Sequence, residues 1–146
     1  MAISARRATL NPPGGRALDA ALWIAQVLLA LGFGMAGFMK LTQPIASLAT
    51  QMPWTTSVPP ALVRFIGVSE LAGALGLILP AVTRIQPALT PMAAAGLVLI
   101  MGMAAAFHLS RGELTALPIN AILGGLALFV AWGRFVKRPI APRQHA

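Results

Sequence analysis

Two side chains in this sequence combine the types and settings needed for proton exchange in an apolar environment. Glu70 stands in the middle of the segment FIGVSELAGALGLIL, and His108 lies near the end of another, MAAAGLVLIMGMAAAFHL. A carboxylate inside such a run is costly and normally turns toward partners or a water-filled cavity. A carboxylate and an imidazole facing one pocket would pass protons or hold a polar headgroup. Lys40, Arg64 and Asn120 add two cations and an amide near the ends of the apolar runs. The structural alternative for Glu70 is an ion pair with Lys40 or Arg64, or a hydrogen bond with Asn120; a protonated, neutral Glu70 is a further variant. His108 on its own is more often a satisfied interfacial end residue than a catalyst, and Lys40 on its own a snorkelling residue.

These residues must be positioned by the apolar runs themselves, 20–41, 62–79, 91–109 and 117–135. About 20 apolar residues cross the hydrocarbon core as a helix. Runs two to four are shorter and imply a thin bilayer or nearly upright helices. Pro59 and Pro60 precede the second run and Pro80 closes it, while Pro91 suits a first helical turn. Hydrophobic residues make up 58% of the chain and charged ones 10%, well short of the charge a soluble domain needs. A soluble helix also shows one polar face, and runs one and three show almost none. The expected fold is all-α: an integral membrane four-helix bundle over residues 19–136, between basic tails at 1–18 and 137–146. The first tail, with Pro12, Pro13, Gly14 and Gly15, reads as disordered. Arg6-Arg7 suggests a twin-arginine signal, but the following run is too long and lacks a cleavage site, so the tail is expected to be retained.

The net charge is +8, from 11 Lys and Arg against 3 acidic residues. Most of the positive charge flanks apolar runs near the chain ends. That suits contact with the headgroups of membrane lipids and argues against nucleic acid. Four spans place Arg6, Arg7, Arg16, Arg84, Arg134, Lys137, Arg138 and Arg143 on one side, and Lys40, Arg64 and Arg111 on the other. The positive-inside rule then puts both termini in the cytoplasm, with Trp23 and Trp132 in the inner aromatic belt. Lys40, Arg64, Glu70, His108 and Asn120 fall in the outer half, Glu70 about 9 Å deeper than Arg64. The inner half shows no comparable set. In the outer connection 42–61, Ile45, Leu48, Ala49 and Met52 recur at helical spacing. They predict an interfacial helix started by Pro44 and ended by Pro53, with Trp54 at the outer interface. Ser69/Gly73 and Ala72/Gly76 read as glue within the bundle rather than as a dimer motif.

The absence of cysteine excludes iron–sulfur clusters and Cys-based zinc sites. His108 and His145 are the only histidines, on opposite predicted sides, which argues against a bis-His haem. No dinucleotide fingerprint, P-loop, nucleophile elbow or zinc-protease motif is present.

The segments AGFMKL at the end of run one, RFIGVSELAGALGLILP from Arg64 to Pro80, and FHLSRGE from Phe107 to Glu113, with Asn120 opening run four, resemble the DoxX-like family of small four-helix bacterial membrane proteins. The resemblance covers residues 20–135. It implies a multi-pass protein of the bacterial inner membrane, with Lys40, Arg64, Glu70, His108 and Asn120 matching the family's polar positions. Some relatives are membrane subunits of thiosulfate:quinone oxidoreductases, others join redox-stress complexes, and distant animal relatives assist receptor assembly. The leading expectation is therefore a quinone- or lipid-binding subunit with a redox protein partner, not an enzyme by itself. The alternatives are an assembly partner without chemistry and a small transporter, which four spans would support as a channel only in a homo-oligomer.

Overall fold

Proline stands at or near the start of every long helix, where its missing N–H costs nothing because first-turn N–H groups have no intrahelical acceptor. The computed structural model describes residues 13–144. Its four long helices are α1 (Pro13–Thr42), α3 (Pro60–Thr83), α4 (Leu89–Ser110) and α5 (Leu117–Trp132). A five-residue helix, α2 (Ile45–Ala49), lies in the first connection, and no strand occurs among the described residues. Short 3-10 segments at Pro53–Thr56 and Leu114–Ala116 precede α3 and α5. A π-helical turn, Gly133–Lys137, extends α5.

Four helices are long and apolar enough to cross a bilayer. Their outward faces carry large apolar side chains, such as Leu31, Met35, Phe65 and Leu99, each more than half exposed. Water would not tolerate that surface and lipid favours it, so the chain is a multi-pass membrane protein. The inward stripe is narrow. Ala25, Leu29 and Phe33 of α1 meet Ala74 and Leu77 of α3, Ala94, Leu97 and Met101 of α4, and Ala127, Val130 and Ala131 of α5.

The helices form a closed ring in which α1 packs on α3, α3 on α4, α4 on α5 and α5 on α1. The α1–α3 contact is the most extensive and α1–α5 the slightest. Lipid offers no hydrophobic drive for helix association, so close van der Waals approach must supply it. A Cβ on Gly37 would stand 2.7 Å from the Gly67 carbonyl oxygen, and one on Gly67 would stand 2.9 Å from the Lys40 Cβ. Only glycine at both positions lets α1 and α3 come this close. Gly73 faces Leu97 and Gly76 faces Ala93, so the small residues of α3 serve contacts inside the bundle.

Several boundaries differ from the sequence reading. The segment expected to be disordered is helical from Pro13 onward; Arg6, Arg7 and the rest of 1–12 lie outside the described residues. Pro80 does not close the second span. It forfeits only the bond to the Gly76 carbonyl, and α3 continues to Thr83, ending at Arg84 in the left-handed region (φ 60°). The spans are also not short, since α3 has 24 residues and α4 has 22. The C-terminal segment is tied back, because the Arg143 N–H donates to the Arg84 carbonyl at 3.0 Å. His145 lies outside the described residues.

Alternating helix directions give the bundle two unlike ends. One gathers the end of α1, the start of α3, the end of α4 and the start of α5, beneath the connection that carries α2. The other gathers the opposite termini with Arg16, Arg84, Arg134, Lys137 and Arg138. They are called the capped end and the basic end below.

Candidate functional site: a polar cavity at the capped end

Lys40 lies in the last turn of α1, where a cation is favoured by the carbonyl end of the helix. It does not snorkel. Its side chain is 6% exposed and its ammonium donates to both oxygens of Glu70, at 2.9 and 2.7 Å. The Gly37–Gly67 approach brings the two helices near enough for this pair to close. Arg64 is not the partner of Glu70. Its guanidinium donates to the Lys40 backbone carbonyl, one of the acceptors left open at the end of α1.

α4 ends in a turn that needs glycine, with Gly112 at φ 71°. This turn folds Glu113 back, so that its N–H donates to the His108 carbonyl at 2.9 Å. One Glu113 oxygen then meets His108 Nδ1 at 2.7 Å, and the other accepts from Arg111 Nε at 2.7 Å. These two donors, His108 first, hold the Glu113 carboxyl below the usual carboxylate range.

The connection over this end does start a helix after Pro44, but a shorter one than the spacing to Pro53 predicts. α2 is a single short turn whose Leu48 is wholly buried in the protein. Trp54 is half-buried and lines the space beneath the connection. Its ring centroid lies 5.9 Å from the Lys40 ammonium and 6.3 Å from the Phe107 ring, edge to face. Phe107 in turn meets the His108 ring at 5.6 Å and the Arg111 guanidinium at 5.3 Å.

Two cavities open beside these residues. The larger, about 650 Å³, runs between α1 and α5 along Gly32, Phe33, Ile119 and Leu123. The smaller, about 460 Å³, runs between α3 and α4 along Phe65, Ile66, Ile100 and Met103. Lys40, Trp54, Glu70, Met101, His108 and Asn120 line both. The volumes are those of small-molecule sites, with mostly apolar walls and a few convergent polar groups. Asn120 is buried in the first turns of α5, and its Nδ2 has no hydrogen-bond partner among the described residues. Four of the five polar residues singled out from the sequence thus line the cavities, and Arg64 stands behind them. Glu113, which lines the larger cavity, is not among those five. The pattern FHLSRGE carried the signal, a histidine with a glycine turn and a carboxylate five positions on.

The basic end corrects the expectation that it holds no comparable set. Arg134, 3% exposed, donates to the Gln26 side-chain oxygen at 2.7 Å and to Asp19 at 2.6 Å. The Gln26 amide donates onward to the Leu77 carbonyl at 2.8 Å, and the Trp23 ring lies 5.5 Å from the guanidinium. Gln26 is the lone amide of the first apolar run and Arg134 a flanking charge. Nothing local joins residues 108 positions apart.

Among known proteins, the model of the DoxX-like family matches residues 24–130. That range contains every residue named at the capped end, together with Gln26, and leaves Asp19 and Arg134 outside. No curated protein and no solved structure matches the chain.

Proposed function

The chain belongs to the DoxX-like family, and from that premise we propose that it is a quinone- or lipid-binding membrane subunit that works with a redox protein partner and holds its ligand at the capped end. The observation that carries this reading is the Asn120 amide. An unpaired buried N–H costs about 1–3 kcal/mol, and its residue, Asn120, lines cavities large enough for a headgroup. A carbonyl or hydroxyl oxygen of the ligand would accept from it. Trp54 offers an aromatic face, and the apolar walls suit an isoprenoid or acyl tail leaving between the helices. Lys40 and Glu70 neutralise each other, so the site suits a headgroup without a strong net charge. The excess of Lys and Arg at the basic end supports an orientation in a bacterial inner membrane with both termini cytoplasmic and the cavity facing outward.

The experiment is mass spectrometry of small molecules retained by gently purified wild type and by Asn120→Leu, with thermal unfolding as the control for folding. A quinone or defined lipid kept by the wild type and depleted from a folded variant is the expected result. The same molecules in both samples would refute the reading.

A second reading, an assembly partner without chemistry, is favoured by one observation. The Lys40–Glu70 pair is complete without a ligand and sits directly over the Gly37–Gly67 contact. On this reading Glu70→Gln lowers folded yield, copurifying small molecules are the same in both, and partner proteins are retained by the wild type.

A further inference from the structure

We propose that Glu113, held in place by Arg111, sets which nitrogen of His108 carries the proton, and so makes the cavity select a ligand that presents a hydroxyl hydrogen. The inference rests on the cavity being a ligand site and adds the class of headgroup it prefers.

An imidazole has two nitrogens, and in the neutral ring one donates while the other accepts. At His108 the choice is made by Glu113. Its carboxyl accepts from Arg111 through one oxygen and faces Nδ1 through the other. Two donors keep it ionised at neutral pH, and a carboxylate can only accept. The proton of the neutral ring therefore resides on Nδ1. Nε2 has no hydrogen-bond partner among the described residues, and His108 lines both cavities. The ring nitrogen left for a ligand is thus a lone pair, which takes a hydrogen bond from a hydroxyl and repels a carbonyl oxygen.

The other polar groups do not override this preference. Lys40 and Glu70 share the cavities with His108 but are committed to each other. Asn120 supplies the complementary donor. An oxygen that accepts from Asn120 and a hydroxyl that donates to His108 describe a hydroquinone or phenol type of headgroup better than a quinone. The His108 side chain is 13% exposed and that of Glu113 33%. The pair therefore runs from the cavity wall toward water, the direction a proton accepted at Nε2 would leave.

Arg111 makes the test sharp. In Glu113→Gln the Arg111 N–H still requires an acceptor, which the Gln amide oxygen supplies. The Gln NH2 then faces Nδ1 and donates to it. The ring proton is forced to Nε2, and the cavity presents a donor instead of an acceptor.

The experiment is calorimetric titration of the full chain in detergent micelles with decylbenzoquinone and with decylhydroquinone, under argon at mildly alkaline pH. One hydrogen bond made or denied corresponds to about tenfold in affinity. Wild type is expected to prefer the hydroquinone by about that factor, and Glu113→Gln to reverse the preference. Equal affinities of wild type for the two probes, or a preference untouched by Glu113→Gln, would overturn the inference and leave the cavity as a ligand site. Binding of neither probe to folded wild type would overturn the quinone reading of the cavity and this inference with it.

Discussion

Lys40 and Glu70, thirty positions apart, meet at 2.7 Å in the protein interior, and each side chain is almost wholly withdrawn from its surroundings. The pair closes because α1 and α3 touch backbone to backbone at Gly37 and Gly67 one turn away. Its partners differ in what they leave behind when removed. Lys40→Met strands a carboxylate and Glu70→Gln strands an ammonium, whereas removing both strands nothing.

The single variants Lys40→Met and Glu70→Gln should therefore each lose about 3–5 kcal/mol of stability. The double variant Lys40→Met/Glu70→Leu should recover most of it. Denaturant titration in mixed micelles checks this, and additive losses would show that the two side chains do not act as a pair.

Gly67→Leu should push α1 from α3, since even a Cβ at this position stands 2.9 Å from Lys40 Cβ. Overpacking of this kind costs about 1–3 kcal/mol or more. The measurable outcome is a lower unfolding temperature together with weaker retention of the cavity ligand. Gly14→Leu, where a Cβ meets nothing within 4 Å, should change neither.

Arg134→Met should weaken the basic end by leaving the Gln26 oxygen without its donor, at about 1–3 kcal/mol for the buried acceptor. Arg134→Lys should not restore it, because one ammonium cannot reproduce the fork that reaches Gln26, Asp19 and the Arg138 carbonyl together. Limited proteolysis should cut the C-terminal segment faster in both variants, and unchanged cleavage would show that the Arg134 bonds do not hold that segment in place.

The contact of Glu113 with His108 and Arg111 should make the capped end sensitive to acid. A carboxyl whose folded pKa is depressed contributes stability above its unfolded value and loses it as pH falls through the folded one. The stability that Glu113 adds over Glu113→Gln should thus be present above the usual carboxylate range and be lost as pH falls through and below it. Melting curves across that window check it, and a difference persisting in strong acid would rule out this linkage.

The sequence by itself determined the number of spans, the all-α architecture and the depth of each polar residue. Hydropathy along the chain is a one-dimensional signal, and alternating helix direction converts position into depth. Glu70, His108, Lys40 and Asn120 could accordingly be assigned to one end of the bundle before any contact was known. The tertiary structure decided azimuth, the rotation of each helix about its axis, which packing sets and hydropathy leaves open when a span is apolar all round. That rotation gives Glu70 to Lys40 and turns Arg64 to a backbone carbonyl. Trp54 meets Lys40 and Phe107 because the connection folds over the ends of α1 and α4. Arg134 reaches Gln26 because the ring closes α5 against α1, an encounter between the two ends of the chain that no local pattern encodes.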